Sequence, residues 1–336
     1  MKPVCAITMG DPAGIGPEIA LKALASKEAP SRCDIFIIGD ADLLEQAKEL
    51  LSLPIQIHSI SEIDQIKPGF ANVLDMKQVS VEGFSVGKAQ AMCGRASYAY
   101  VVKGIELALK GDIDAIVTNP ISKEALKMAG INYPGHTEIL ADKTGTTNFS
   151  MMFASENVHV VHVTTHVSLK NALTMITKEA VLTHTRLLCA ALQNLGIRSP
   201  RIAISGLNPH AGENGLFGDE EILHIAPAVS QAKREGIDAS GPYPPDTVFM
   251  RAFKGEFDGV VSMLHDHGFV ALKTRNFEGG VNITLGLPII RTSVGHGTAF
   301  DIAGKGIASE KSLIAAIKAA VKMVENKKPV TGLSAK

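Results

Sequence analysis

The sequence carries almost no net charge: 33 Lys and Arg stand against 34 Asp and Glu, a balance of −1 over 336 residues. A chain this close to neutral has no overall basic field to hold a phosphate backbone or an anionic membrane, which argues against nucleic acid and membrane partners. Long apolar runs are missing as well. Asp, Lys, His or Asn interrupts every segment before the 18 or so residues of a spanning helix. The N-terminal run from Val4 to Met9 stops at Gly10-Asp11-Pro12, too short for a signal peptide, so the expected location is cytoplasmic. Cysteine is scarce. Cys5, Cys33, Cys93 and Cys189 show neither a CxxC pair nor framework spacing, and are expected to be reduced, mostly buried thiols. No low-complexity stretch, no repeat and no Gly/Ser or charged linker is visible, so two domains, at roughly 150 residues each, would be interleaved rather than strung in series.

Hydrophobic residues make up 46 % of the chain, enough for sizeable cores. Apolar runs of strand length alternate with longer helical patterns, which predicts an α/β fold around a largely parallel sheet. Strands are expected at Val4 to Thr8, Asp34 to Ile38, Ala115 to Val117, Val158 to Thr164, Arg201 to Ser205 and Gly259 to Leu264. Helices are expected over Pro17 to Leu24, Ala41 to Leu51, Ala89 to Leu109, Lys178 to Leu195 and Glu220 to Lys233. Polar residues follow several strand ends: Thr118-Asn119-Pro120, Thr165-His166, Leu207-Asn208-Pro209-His210 and His265-Asp266-His267-Gly268. In open α/β sheets the ligand crevice lies at the carboxyl ends of the strands, so these four loops are candidate site loops.

His166, His210 and His265 occupy three of those loops. Imidazole suits zinc and other first-row divalent ions, and a catalytic site keeps three protein ligands with one position open. Each histidine alone could instead cap a strand or bond a neighbouring carbonyl. His159 and His162 lie within one strand, on opposite faces, and read as structural. Gly135-His136-Thr137-Glu138 could bind an anion or hydroxyl, or Thr137 could cap the helix that follows. Lys273, Asn282 and Arg291 form a polar trio with two cations, suited to a carboxylate and a phosphate. Asp246 is either an acid/base carboxylate or part of a Pro-Asp-Thr turn. The glycine pattern from Gly10 to Glu18 follows a strand and opens a helix, but it lacks the GxGxxG spacing, and GxxxxGK[ST] is absent. A second glycine-rich loop runs from His296 to Ala308 and includes Gly297, Thr298, Asp301 and Gly304; Asp301 could accept from a ribose hydroxyl.

These two glycine-rich segments resemble the GDGIGPE opening and the HGSAPDIAGKGIA nucleotide loop of isopropylmalate and isocitrate dehydrogenases. That resemblance implies two interleaved α/β/α domains with a cleft between them. Residues 1–125 and 275–336 would form the first and 126–274 the second, which carries the metal and substrate loops. MGDPAGIGPE, YPGHTE, NPHAGENG, HDxG, LK, GVNITLGLP and RTSVxHGTA together resemble the 4-hydroxythreonine-4-phosphate dehydrogenase family, from about Pro3 to Lys322. On that pattern His166, His210 and His265 are metal ligands (Zn, Mg, Co or Mn). His136, Thr137, Lys273, Asn282 and Arg291 contact substrate. The loop containing His296, Gly297, Thr298, Asp301 and Gly304 holds NAD, or NADP. The family pattern implies a homodimer whose metal site is completed across the interface.

The implied reaction oxidises C3 of a four-carbon acid 4-phosphate and decarboxylates the β-keto acid, with Lys273 and Asp246 as candidate catalytic groups. GENGLFGDEE, PPDTVF and HGTAFDIAG favour the branch acting on D-threonate or D-erythronate 4-phosphate over the enzyme of pyridoxal phosphate synthesis. Two positions depart from the pattern: His267 stands where the family usually has Gln, and Gly295 where it usually has Asp. A sensor of phosphorylated metabolites would keep the anion-binding trio without needing metal histidines. A metal-dependent phosphate hydrolase would need metal but no nucleotide loop.

Overall fold

The structure, a computed structural model, describes residues 2–155, 158–275 and 280–327. The chain falls into two compact units, Met1–Glu156 with Asn276–Val321, and Asn157–Arg275 with Lys322–Lys336. The segment 126–156 lies in the first unit rather than the second.

The first unit contains strands β1 (Val4–Thr8), β2 (Asp34–Gly39), β3 (Ile57–Ile60), β4 (Ala71–Asp75), β5 (Ala115–Thr118) and β6 (Ser150–Ser155), with helices α1 (Gly16–Ala25), α2 (Ala41–Leu50), α3 (Ala91–Lys110), α4 (Lys123–Met128) and α5 (His136–Thr144). The second unit adds β7 (Val158–His162), β8 (Ile202–Ser205), β9 (Ala239–Tyr243) and β10 (Gly259–Ser262), with α6 (Leu169–Met175), α7 (Lys178–Asn194), α8 (Ala226–Arg234), α9 (Pro245–Phe253) and α10 (His265–Arg275). The chain then returns to the first unit as β11 (Val281–Leu285) and β12 (Ile290–Val294), followed by α11 (Lys311–Asn326), whose residues from Lys322 on group with the second unit.

Strand order in the first unit is β3-β4-β2-β1-β5-β12-β11-β6, and in the second β7-β10-β8-β9. Among the described residues, β11 runs antiparallel to both β12 and β6, while β1–β2, β2–β4, β3–β4, β1–β5, β5–β12, β7–β10, β8–β10 and β8–β9 pair in parallel. Parallel strands buried on both faces read as continuous apolar runs, and β1, VCAIT, is buried at four of its five positions. Long α3 ends where Gly111 adopts the left-handed conformation, φ +79°, that a helix C-cap favours.

The expected elements are present, with shifted ends. β7 stops at His162 instead of Thr164. The stretch expected as one helix from Glu220 opens as a π turn, Glu221–Ile225, before α8. The apolar segment 283–290 forms the inner part of a hairpin, and its flanking residues Asn282 and Arg291 lie inside the two strands. Gly286 makes the turn at φ +87°, where a Cβ would lie 2.2 Å from the carbonyl oxygen of Asn148. All four cysteines are free. Among the described residues no helix is long and apolar enough to cross a membrane.

Candidate active site

In the first unit the hairpin delivers a buried cation. Alternation places Asn282 and Thr284 on one face of β11. Arg291 on neighbouring β12 donates from Nη1 to Thr284 Oγ1 (2.9 Å) and from Nε and Nη2 to Thr118 Oγ1 (3.1 and 2.6 Å). Its residue surface is only 4 % exposed, and both hydrogen-bond partners are neutral hydroxyls. Burial pushes the guanidinium down to about 9, with the negative charge of Glu138 acting in the opposite direction. His136 is the first residue of α5. Burial, then the positive charge of Arg291, hold its imidazole well below the usual value, and its Nε2 is buried without a partner. Asn282 Oδ1 is likewise unpartnered. Thr137 lies inside the first turn of α5 and does not cap it, since the N-cap residue is Gly135. A desolvated cation beside underused polar groups at a helix N-terminus can hold an anion.

In the second unit the histidines divide. His166, in the turn after β7, and His265, first residue of α10, have ring centroids 5.6 Å apart. Both line a cavity of about 270 Å³ with Thr165, Leu264 and Asp266. His265 Nδ1 and Asp266 Oδ1 are 2.7 Å apart, an arrangement that fixes the ring and leaves Nε2 available as a donor atom for a metal. That hydrogen bond holds the Asp266 carboxyl below its ordinary value. The pair therefore fits two positions of a divalent metal site. His210 is exposed, 6.0 Å from Phe217 between ring centroids, and among the described residues no three His, Cys, Asp or Glu side chains form one metal-holding group.

His162 stacks on Phe269 (4.6 Å, 4°), and a Cβ on Gly268 would approach its Nε2 to 2.2 Å. Glycine in the HDxG motif is thus what lets α10 lie against β7. His265, Phe269 and Lys273 follow at four-residue spacing along α10, so they share one face. Phe269 packs 4.5 Å from the His265 ring, and Lys273 Nζ lies 5.3 Å over Phe269. Asp246, in the first turn of α9, instead lines a groove of about 770 Å³ with Phe249, His267, Val270 and Arg275.

The loop from His296 to Ala308 is docked on the N-terminal glycine turn. Ile15 N–H donates to Thr298 O (3.0 Å), and a Cβ on Gly14 would sit 2.9 Å from that same oxygen. Buried Glu18 Oε1 accepts from Ala308 N–H (2.9 Å) and from Lys22 Nζ (2.7 Å). Lys22 Nζ also donates to Gly306 O and Ala308 O, both at 2.8 Å. This explains physically why the two glycine-rich segments occur together. Asp301 is exposed, His296 Nε2 is buried without a partner, and Gly304 lines a mostly apolar pocket of about 100 Å³ with Pro12, Leu43, Leu50 and Val86. Asp301 does not line that pocket; its exposed carboxylate can accept from a hydroxyl, and the apolar wall can take the face of a ring.

Solved structures similar to the chain include a 4-hydroxythreonine-4-phosphate dehydrogenase from Klebsiella pneumoniae, 42 % identical with TM-score 0.87, covering 96 % of this chain and 98 % of that one. A terephthalate 1,2-cis-dihydrodiol dehydrogenase from Burkholderia xenovorans is more distant, at 30 % identity and TM-score 0.70, over 95 % and 98 %. A protein of Fusobacterium nucleatum with the provisional name D-threonate 4-phosphate dehydrogenase is 45 % identical over 98 % of this chain and 100 % of its own length. The fold and these matches define the class, a two-unit α/β dehydrogenase. The family model described as pyridoxal phosphate biosynthetic protein PdxA matches residues 31–320, and the chain belongs to that family.

Sequence reasoning missed the groups that hold these residues in place. Thr284 sits in an apolar strand and gives no signal of its own. Glu221 lies just beyond the His210 loop at the start of an otherwise apolar helical stretch, which is the one sequence cue it offered.

Proposed function

We propose that the chain is an NAD-dependent (or NADP-dependent), divalent-metal-dependent dehydrogenase that oxidises C3 of a four-carbon acid 4-phosphate and decarboxylates the resulting β-keto acid. The substrate class is D-threonate or D-erythronate 4-phosphate, with 4-hydroxy-L-threonine 4-phosphate as the alternative. The provisional names of the Fusobacterium protein and of a second relative from Oceanobacillus iheyensis, 46 % identical over 97 % of this chain, support the first branch. The observation that carries the proposal is Arg291, a buried guanidinium whose hydrogen-bond partners are two threonine hydroxyls. A cation left in this state is stabilised by an anionic substrate, and the forked guanidinium matches a carboxylate or phosphate.

Each unit brings part of the chemistry. Arg291 binds an anionic end of the substrate. His136, held neutral at neutral pH, offers a hydrogen-bonding nitrogen beside it, and Asn282 adds its carbonyl. In the second unit, His166 and His265 would hold the metal, with His210 as third ligand. When bound, a divalent ion supplies Lewis acidity that favours loss of the hydroxyl proton and tolerates enolate charge. Lys273, on the same face of α10 as His265, stabilises the developing negative charge and returns a proton to the carbanion carbon after carbon dioxide leaves. Neither Lys273 nor Asp246 lines the His166–His265 cavity; the proton step goes to Lys273 because it shares the His265–Phe269 face of α10, whereas Asp246 lines the separate groove beside Phe249. The loop from His296 to Ala308 binds the adenosine end of the cofactor, with Asp301 accepting from a ribose hydroxyl. The working form is a cytoplasmic homodimer in which a second copy completes the metal site.

Incubating the protein with NAD, a divalent ion and each of the three acid phosphates, while following nicotinamide absorbance, carbon dioxide and free phosphate, tests the reading. Reduced cofactor and carbon dioxide in equal amounts are expected. Phosphate release without reduced cofactor would replace the dehydrogenase with a hydrolase, and binding without either product would make the chain a sensor.

A further inference from the structure

We infer that Glu221 is the positioning residue for His210: its buried carboxylate holds the backbone of 206–218 in the path that presents the imidazole. The inference rests on the reading of His210 as a metal ligand. The loop follows an unusual course. His210, Ala211, Glu213 and Asn214 all have φ between +44° and +56°, and Gly212 has φ +80°. L-residues avoid this left-handed region because Cβ crowds the following carbonyl, so four of them in one short run persist only where surrounding contacts impose them.

Glu221 supplies those contacts. It is 3 % exposed. Oε1 accepts from the Leu207 and Asn208 N–H groups at 2.7 and 2.8 Å, and Oε2 accepts from Asn208 Nδ2 at 2.9 Å. Glu220 Oε2 takes the same amide at 2.7 Å. Two glycines make room for the carboxylate: a Cβ on Gly206 would lie 3.0 Å from Glu221 Oε1, and one on Gly212 would lie 2.7 Å from Oε2. Asn208 O in turn accepts from Ala211 N–H at 3.1 Å, which ties the clamp to the residue after His210. Glu221 also opens the π turn Glu221–Ile225, a local widening that recurs at functional sites. A carboxylate buried among neutral N–H donors, beside a strained run that begins at an exposed histidine, does for that histidine what outer-shell partners do for metal ligands.

The test uses the whole protein, with Glu221→Gln, Glu221→Asp and His210→Ala compared with wild type. Glu221→Gln keeps an acceptor for the two backbone N–H groups but turns an amide NH2 toward Asn208 Nδ2. Glu221→Asp keeps the charge and withdraws it by one methylene, and serves if the first variant does not fold. Amide exchange over 207–217 is measured without metal, Mn(II) affinity by loss of the free-ion paramagnetic resonance signal, and KM for NAD by steady-state kinetics. In the clamp variants, exchange over the loop should rise and Mn(II) should bind about tenfold more weakly per folded molecule, with KM for NAD unchanged. Wild-type exchange and Mn(II) affinity in both variants would overturn the inference. So would losses in melting temperature, Mn(II) affinity and NAD affinity that move together, since these mark a merely structural role. If His210→Ala binds Mn(II) as wild type does while Glu221→Gln still loosens the loop, His210 is no metal ligand and the clamp stands on its own.

Discussion

At the residue scale, the proposed function turns on Arg291, a buried guanidinium bonded to two threonine hydroxyls. Charge-assisted hydrogen bonds are worth roughly 1.5 to 3 kcal/mol each, so Arg291→Ala should lower kcat/KM for the acid phosphate on the order of ten- to a hundred-fold. Arg291→Lys should recover little, because an ammonium cannot span the Thr118 and Thr284 hydroxyls and a bidentate anion at once. Full activity in the lysine variant would show that charge alone matters. Gly295, where the family usually has Asp, has a packing reason: a Cβ there would lie 2.8 Å from Gly280 O and 3.2 Å from the Phe153 ring. Gly295→Asp should therefore cost about 1 to 3 kcal/mol of unfolding free energy, as overpacking does. Phe153→Leu should remove part of that cost, so the two substitutions measured by denaturant unfolding should couple; simple additivity would mean that the ring does not fill the missing side chain's place. Arg291 was legible in the sequence as one of the two cations of a polar trio. Its hydroxyl partners were not, because Thr118 and Thr284 come from strands far apart in the chain.

At the element scale, the N-terminal turn and the loop from His296 to Ala308 work as one piece. Neither announced its partner by spacing; they were paired by resemblance, and the Glu18–Lys22 clamp supplies the physical reason. Asp11 in that turn is fully buried, with Oδ1 accepting from Ala13 N–H at 2.9 Å and Oδ2 unpartnered. Burial raises its carboxyl to about 6, against a small opposing effect of the Ala13 bond. The folded state thus binds a proton more tightly than the unfolded state does. Asp11's contribution is most favourable below the unfolded value near 3.9 and is lost as pH rises through about 6. Asp11→Asn should accordingly stabilise the protein at pH 7.5, by on the order of 1 to 3 kcal/mol, and leave it nearly unchanged at pH 4. Equal melting shifts at the two pH values would show that the carboxyl does not titrate on unfolding. The hairpin of β11 and β12 escaped the sequence reading for a related reason. Its strands are apolar and closely spaced, and a continuous apolar run gives no period by which a short turn stands out.

At the scale of the whole molecule, the α/β class was readable because strand-length and helix-length patterns alternate throughout, whereas the return of the chain to its first domain was implied only by the resemblance of the two glycine-rich segments. The sequence could not reveal which histidines meet. Three strand-end histidines look equivalent along the chain, yet the structure pairs His166 with His265 and leaves His210 exposed on its left-handed loop. If a second copy completes the metal site, the pair comes from one chain and the third ligand is the partner's His210. Inactive variants should then complement each other selectively. In a mixture of His166→Ala and His210→Ala chains, each heterodimer has one site with all three ligands and one that lacks both His166 and His210 and keeps only His265. Half of randomly assorted dimers are mixed, so activity should return to about a quarter of wild type for two-fold dimers with independent sites. A mixture of His166→Ala and His265→Ala should stay inactive, since both ligands belong to the same chain's pair and every site lacks one. Recovery in the second mixture but not the first would reassign the exchanged ligand to His265. No recovery in either, with subunit exchange verified by mass, would place all three ligands of each site in one chain.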